Sequence, residues 1–94
     1  MYDYEVIPSL QKILNKLSKK DKTLYEQVLK KIEEITNSGD VEHYKNLRYD
    51  MKDKKRAQIG HFVLVFTYIR EENKIKFLDF DHVRNQIFLS TIRN

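Results

Sequence analysis

The spacing of apolar positions in the first forty residues predicts a strand followed by two amphipathic helices. Tyr2, Tyr4 and Val6 alternate with other side chains, as in a short strand, and Pro8 ends this strand because proline has no N–H for the ladder. Two apolar stripes then follow with the spacing of a helix face. The first stripe consists of Leu10, Ile13, Leu14 and Leu17, and the second of Leu24, Val28, Ile32 and Ile35.

Capping residues indicate where the two helices begin and end. Ser9 is a candidate N-cap of the first helix, and Asp21 or Ser18 can cap the second. Asn37 and Gly39 follow the last apolar position, and both tolerate the left-handed conformation that often ends a helix. The pattern therefore predicts an antiparallel pair of helices joined by a tight turn.

The remaining chain changes to the two-residue period of strands. Residues 54–59 alternate so that one face is basic, and residues 61–69 are apolar enough for a central strand. A polar turn at 71–74 leads into a third apolar run at 75–80. The predicted fold class is α+β: an N-terminal strand, a helix hairpin and an antiparallel β-meander, giving about four strands with the helices on one face and the other face available. Residues 87–92 fit a short helix or an extended segment.

The composition indicates a small folded protein of the cytoplasm. With 94 residues, of which 40% are hydrophobic and 34% charged, we expect one domain over 1–94. The absence of cysteine excludes disulfides, thiolate zinc sites and a cysteine nucleophile. No apolar run approaches the length of about 20 residues that spans a bilayer, and the first residues do not have the pattern of a signal peptide.

The net charge of +4 is concentrated in one segment. Residues 45–56 hold six basic and two acidic side chains, whereas the rest of the chain has 12 of each. The six are Lys45, Arg48, Lys52, Lys54, Lys55 and Arg56. Such clustering predicts a phosphate-binding surface, with a solvated charged loop as the alternative. Tyr44 and Tyr49 lie in the same region, and we expect them to be exposed and able to stack on nucleobases.

Two further groups of residues each allow two interpretations. The strand aromatics are able to stack on bases, but rings in such apolar strands more often belong to the core. They are Phe62, Phe66, Tyr68, Phe77 and Phe80. Asp79, Asp81 and His82 have the chemistry of hard-metal ligands, although pairing with Arg84 or the basic strand is the favoured interpretation. We therefore predict no metal site and no cofactor.

Three segments resemble the RelE/ParE superfamily of toxins. Residues 56–66, RAQIGHFVLVF, resemble the family's R-x-R-[VIL]-G-x-[YF]-R-[VL]-[VIL]-[YF] strand pair. Residues 44–47 resemble the element that precedes this pair, and residues 81–88 resemble the closing segment rich in histidine and arginine. The resemblance extends over nearly the full length. The resemblance implies a toxin that a cognate antitoxin holds inactive. Members similar to RelE cleave mRNA on the ribosome, whereas members similar to ParE act on DNA gyrase without that chemistry.

The chain departs from the cleaving members at three positions. Gln58 and Val63 stand where those members carry arginine, and Phe88 stands where they carry tyrosine. The residues then predicted to be catalytic are Lys54, Arg56, His82 and Arg84. The residues predicted to bind RNA are Lys45, Arg48, Tyr49, Lys52 and Lys55.

Cleavage of RNA without a metal ion needs a base for the 2′-hydroxyl proton, an acid for the leaving 5′-oxygen and positive charge on the phosphate. Arg56 is the predicted phosphate clamp, because a guanidinium donates paired hydrogen bonds, and Lys54 on the same strand face adds a point charge. His82 is the predicted acid–base group, with Lys54 second, because histidine titrates near neutral pH. The alternatives are a local hydrogen-bonding role for His82 and a solvent-exposed cation at Arg56.

The favoured function is a toxin that inhibits translation by metal-independent, ribosome-dependent mRNA cleavage. The alternatives are a non-cleaving, ParE-like toxin or nucleic-acid-binding module with a degenerate active site, and a decayed toxin that only binds its antitoxin. The expected partners are the antitoxin, the ribosome and mRNA, and a heterotetramer with the antitoxin is one assembly that the resemblance allows. We expect the antitoxin to cover the basic strand or to displace residues 87–92.

Overall fold

The computed structural model describes residues 2–44 and 54–83. In chain order the elements are β1 (Asp3–Val6), α1 (Pro8–Lys20), α2 (Lys22–Thr36), a 3-10 turn (Val41–His43), β2 (Lys54–Ile59), β3 (Phe62–Ile69), a second 3-10 turn (Arg70–Glu72) and β4 (Lys74–His82). The predictions for Lys45, Arg48, Tyr49, Lys52, Arg84, Phe88 and the tail at 87–92 lie outside the described residues. Within the described part of the chain, no helix has the length and apolar character to cross a membrane.

The four strands form one mixed sheet in the order β1-β4-β3-β2. The neighbours β2, β3 and β4 are antiparallel, as the predicted meander requires. β1 instead pairs in parallel with β4, so that Asp3 lies opposite Lys74 and Val6 opposite Phe77. A parallel pair needs a long connection between its strands, and here that connection contains both helices, β2 and β3. The predicted α+β fold is confirmed, and β1 and β2 form the edges of the described sheet.

The apolar stripes of the two helices pack against one face of the sheet, which we call the helix face. Leu10 and Leu14 of α1 and Val28 of α2 are at most 2% exposed. They contact the buried strand residues Leu64, Phe66, Ile75, Phe77 and Phe80 in one cluster. Phe62 and Tyr68 pack against the same cluster, so the core interpretation of the strand aromatics is confirmed. Burying one such large apolar side chain stabilises a fold by about 1.5–3 kcal/mol relative to leaving it exposed.

The two helices begin differently. The Oδ1 atom of Asp21 accepts a hydrogen bond from the backbone N–H of Leu24 at 3.1 Å, which confirms Asp21 as the cap of α2. Ser9 is not the cap of α1, because that helix already begins at Pro8 and follows Ile7 without a side-chain cap. Proline suits the first helical position, since its φ is already helical and its missing N–H has no partner there anyway.

Left-handed backbone occurs in the turns of the sheet and not at the end of α2. Asn37 ends α2 with a φ of −94°, so the predicted left-handed cap is absent at this residue. Gly60, with a φ of 61°, turns the chain between β2 and β3, and Asn73, with a φ of 51°, precedes β4. Asparagine and glycine are the residues that accept this conformation most readily.

The face of the sheet that points away from the helices, here called the far face, has a small apolar centre. Val63 and Val65 of β3 are 1% and 4% exposed, and Leu78 and Val83 pack against them. The sequence predicted that this whole face is available. The apolar cluster covers part of it, so the far face is available only outside that cluster. β2 carries two of its exposed polar side chains, Arg56 and Gln58.

Candidate nucleic-acid interface

Lys54 and Arg56 project from the far face of β2. They are two residues apart in a regular strand, and they pair with Thr67 and Val65 of β3, respectively. Side chains at this spacing leave a strand on the same side. Arg56 is exposed and Lys54 is partly exposed. The predicted common face of these two cations is therefore present in the structure.

Lys55 lies between these two residues but faces the other side of the strand. Its Nζ atom donates hydrogen bonds to the backbone carbonyl oxygens of Glu42 and Tyr44, both at 3.3 Å. These bonds attach the 3-10 turn to β2. The structure thus places the ammonium group of Lys55, a predicted RNA-binding residue, against the backbone of its own chain.

His82 and Arg56 lie on opposite faces of the sheet. Cross-strand partners share a face, and Arg56 pairs with Val65 on the far face, whereas His82 pairs with Phe62 on the helix face. The His82 ring centroid is 5.4 Å from that of Phe62, and the ring stacks nearly parallel to His61 at 6.2 Å. The structure therefore does not bring the predicted phosphate clamp and the predicted acid–base histidine together.

The alternative metal ligands are also divided between the two faces. Asp81 pairs with Val63 on the far face, away from the ring of His82. The Oδ1 atoms of Asp79 and Asp81 each accept a hydrogen bond from the next backbone N–H, at 2.9 and 2.7 Å. Across residues 2–44 and 54–83, no group of three histidine, cysteine, aspartate or glutamate side chains is arranged to hold a metal ion.

A cleft of about 390 Å³ opens at the outer edge of β2, and we call it the edge cleft. Its described lining consists of Lys31 from α2, His43 and Tyr44 from the 3-10 turn and its end, and Arg56, Ala57 and Gln58 from β2. Arg56, a second cation and an imidazole therefore all line the edge cleft. A pocket of this size falls within the range that binds small organic ligands.

His43 and Lys31 were not among the residues predicted from the sequence. A three-residue turn has no periodicity that would mark His43, although its place just before the basic segment was visible. Lys31 is one of several cations on α2, and nothing in the sequence separates it from the others. Only the packing of α2 against the edge of β2 brings its side chain to the edge cleft.

The imidazole of His43 has two fixed neighbours. Its Nδ1 atom makes a short contact with the backbone carbonyl oxygen of Asp40. Its ring stacks on that of Tyr44, with centroids 4.3 Å apart and an interplanar angle of 30°. The turn itself is capped by the Oδ1 atom of Asp40, which accepts from the backbone N–H of Glu42 at 3.2 Å.

Tyr44 is half-buried and not exposed as the sequence suggested. Its ring packs edge-on against Phe66, with centroids 5.6 Å apart, and belongs to the border of the core. Burial raises the pKa of the Tyr44 phenol, the Glu34 carboxylate raises it further, and the Lys31 ammonium opposes the shift. The phenol is therefore protonated at neutral pH, and the tyrosine supports His43 as an uncharged platform.

Comparison with known proteins gives the chain a family. No protein-family model matches it. Over 86 residues it is 51% identical to a protein of Methanocaldococcus jannaschii that carries the name toxin RelE4, covering 90% of this chain and 89% of that protein. Its fold matches the isolated E. coli RelE toxin with a TM-score of 0.70 at 21% identity, covering 99% of this chain and 97% of the other.

A second structural match is a chain of the archaeal RelE–RelB complex from Pyrococcus horikoshii. The TM-score is 0.65 at 19% identity, and the match covers 86% of this chain and 93% of the other. The two structural matches show a common fold, and the relative at 51% identity shows common descent. The chain belongs to the RelE family of toxins.

Proposed function

We propose that this type II toxin stops translation by cleaving mRNA on the ribosome without a metal ion. The observation that supports this proposal is the position of Arg56, which projects from the exposed side of an edge strand beside Lys54 and lines the edge cleft with Lys31. Two cations that line one concave surface, with a third on the same strand face as Arg56, favour a ligand that carries phosphate groups.

In the proposed reaction Arg56 holds the phosphate that is cleaved. Its guanidinium donates two parallel hydrogen bonds to phosphate oxygens, and it stabilises the negative charge that grows as the 2′-oxygen attacks. Lys54 adds positive charge from the same strand face, and Arg84 is proposed to do so from outside the described residues. His82 faces away from Arg56, so a direct role in proton transfer would require the RNA to reach both faces of the sheet.

The RNA contacts are proposed to continue beyond the described residues. Lys45, Arg48, Tyr49 and Lys52 would supply them, since the segment that contains these residues joins Tyr44 to Lys54. Lys55 would contribute by holding the 3-10 turn in place, because its ammonium already bonds to the carbonyl oxygens there.

A non-cleaving toxin of the same fold is the second candidate, and one observation favours it. Val63, where cleaving members similar to RelE carry an arginine, is buried and leaves no room for a cation at that position of the far face. Such a protein would use the basic edge of β2 to bind a nucleic acid or a nucleic-acid enzyme such as gyrase without cutting RNA.

A cognate antitoxin is the proposed regulatory partner. The P. horikoshii relative of known structure is a RelE–RelB complex, and this chain has the fold of one of its chains. We extend that arrangement to a cytoplasmic complex of this toxin with a small acidic partner, because acidic side chains complement the basic edge of β2. Co-expression with the product of the adjacent small reading frame and co-purification of the two proteins would test the pairing.

Primer extension on mRNA from cells that express the toxin tests the cleavage activity. We expect new 5′ ends with the wild-type protein and a loss of about 10²-fold or more with Arg56→Ala, the scale for one charge-stabilising donor. The control is Lys12→Ala, which removes one positive charge from the exposed side of α1. Growth arrest by the wild type without any new 5′ ends would reject cleavage and favour the non-cleaving candidate.

A further inference from the structure

We propose that His43 is the catalytic base of this toxin and that the edge cleft holds the phosphodiester that is cleaved. The inference rests on the proposed function and adds to it a residue outside every motif of the sequence. Four observations carry it: the tautomer of the ring, its support, the charges around it and its position relative to Arg56.

The contact with Asp40 determines which nitrogen of His43 is basic. A backbone carbonyl oxygen only accepts hydrogen bonds, so the tautomer with its proton on Nδ1 is the one that makes this contact a hydrogen bond. In the neutral ring the Nε2 atom then has the free electron pair. Catalytic histidines are commonly oriented in this way by an acceptor on one nitrogen, which leaves the other to exchange a proton with the substrate.

The ring of His43 is held in place by contacts that lead to the core. It stacks on Tyr44, which packs edge-on against the fully buried Phe66. Two side chains from other elements hold the 3-10 turn. Lys55 donates hydrogen bonds to the carbonyl oxygens of Glu42 and Tyr44, and the guanidinium of Arg70 lies 2.8 Å from the Glu42 carboxylate. A side chain fixed in this way needs little reorganisation before proton transfer.

The charges around the ring favour a phosphodiester. Lys31 and Arg56 line the edge cleft, and no carboxylate is among its described lining residues. The Lys31 ammonium is 3.1 Å from Glu34, which fixes it without removing its charge. A larger cavity of about 1060 Å³ between β1 and the helices has the opposite character, since its charged lining residues are Asp3, Glu33, Glu72 and Lys74. Phosphate is therefore expected in the edge cleft and not in the larger cavity.

The position of His43 also distinguishes it from the other described histidines. His43 lines the same cleft as Arg56, whereas His82 lies on the opposite face of the sheet and stacks on His61. A base and a phosphate clamp must act on neighbouring atoms of one nucleotide. Among the histidines of residues 2–44 and 54–83, only His43 lines a cleft together with Arg56.

In the proposed step the Nε2 atom of His43 takes the proton of the 2′-hydroxyl group. The electron pair of the 2′-oxygen forms a bond to phosphorus, and the bond from phosphorus to the 5′-oxygen breaks. The leaving 5′-oxygen takes a proton from water, and the hydroxide that remains takes back the proton held by His43. The products are a 2′,3′-cyclic phosphate and a 5′-hydroxyl end, and Arg56 stabilises the charge that develops on the phosphate.

The test is single-turnover cleavage of a defined mRNA on purified ribosomes by the purified toxin. His43→Gln keeps an N–H donor for the Asp40 carbonyl group but has no basic nitrogen, and His43→Ala opens space for added imidazole. We expect both variants to melt at the wild-type temperature and to cleave about 10²-fold or more slowly, the scale of one acid–base group. Added imidazole should restore cleavage by His43→Ala and not by Arg56→Ala, and the control Lys12→Ala, on the exposed side of α1, should cleave at the wild-type rate.

The outcomes separate this inference from the proposed function. If the wild type cleaves and Arg56→Ala does not, while His43→Gln cleaves at the wild-type rate, the proposed function stands and the role of His43 is overturned. Loss of cleavage in His82→Ala alone would likewise assign the base to His82. If the wild-type toxin itself leaves the mRNA intact, both proposals are rejected together.

Discussion

Gln58 and Val63 are direct partners across β2 and β3, yet Gln58 is exposed and Val63 is 1% exposed. Val63 packs with Val65, Leu78 and Val83, whereas Gln58 lies at the edge of the sheet. Cleaving members similar to RelE carry an arginine at each of these two positions. In this chain the far face has room for a cation at residue 58 and none at residue 63.

Gln58→Arg is expected to strengthen RNA binding and to leave the fold intact. The amide of Gln58 donates to the carbonyl oxygen of Gly60 at 2.9 Å, and the loss of this exposed bond should change stability by no more than about 0.5 kcal/mol. A third cation beside Arg56 should steepen the dependence of affinity on salt by roughly one phosphate contact. Titration of single-stranded RNA at several salt concentrations measures this slope, and Gln58→Ala is the uncharged control. Equal slopes for the two variants would contradict the prediction.

Val63→Arg is expected to destabilise the protein. An arginine here would place a guanidinium in the apolar cluster of the far face, and its desolvation, which a pair with Asp81 opposite on β4 offsets only in part, should cost several kcal/mol. Val63→Met brings a long side chain without the charge and should cost about 1–3 kcal/mol through overpacking. Urea denaturation gives both free energies of unfolding. An arginine variant as stable as the methionine variant would show that the cluster opens to solvent.

Lys55→Met is expected to loosen the 3-10 turn. It removes the hydrogen bonds to the carbonyl oxygens of Glu42 and Tyr44, and bonds to a charged donor are worth about 1.5–3 kcal/mol. The backbone N–H of Tyr44, which donates to the carbonyl oxygen of Val41 at 3.3 Å, should then exchange with solvent roughly tenfold faster or more. Lys54→Met removes the same charge from the other side of the strand and should leave this exchange rate unchanged. Similar exchange rates in both variants would show that the hydrogen bonds of Lys55 do not hold the turn in place.

The ion pair between Glu5 and Lys74 predicts how stability depends on pH. Their side chains are 2.6 Å apart; the hydrogen bond from Lys74 lowers the pKa of Glu5, and the hydrogen bond to Glu5 raises the pKa of Lys74. The contribution of Glu5 is therefore present above its ordinary value of 4.5 and lost as the pH falls through the lower folded value. The contribution of Lys74 is present below its ordinary value of 10.5 and lost as the pH rises through the higher folded value.

Glu5→Gln should accordingly flatten the acidic and the alkaline limbs of a plot of melting temperature against pH. The effect is small because both side chains are partly exposed. Glu26→Gln removes an equal charge from the exposed side of α2 and serves as the control. An acidic limb of unchanged slope in Glu5→Gln would show that the ion pair does not form in solution.

The sequence predicted the helices and strands because burial alone determines their patterns. The stripe that contains Leu10 and Leu14 is also the stripe that packs on the sheet, and the alternation at Lys54 and Arg56 survives as a common face. The parallel pairing of β1 with β4 was not predicted. A strand of four residues has a face that periodicity can identify, but it has no signal that selects its neighbour.

The side of the sheet from which His82 projects could not be predicted from the sequence. Counted in steps of two from the buried Phe77, residue 82 would project from the far face, together with Arg56. The register between β3 and β4 shifts between Val65 and Phe66, because β4 has one extra residue at this point. Beyond the shift, the side chains of β4 that would project from one face project from the other. Phe80 is therefore buried and His82 follows it onto the helix face.

The parallel pair at the edge of the sheet also determines when the chain can fold during its synthesis. β1 leaves the ribosome first, but Asp3 and Val6 pair with Lys74 and Phe77, near the other end of the described chain. Until β4 has been synthesised, the helices have no complete sheet to cover and the nascent chain must wait with its apolar stripes unburied. The surface around Arg56 is then assembled only after β4 has been made, so that a ribosome that has synthesised β2 alone does not yet carry that surface.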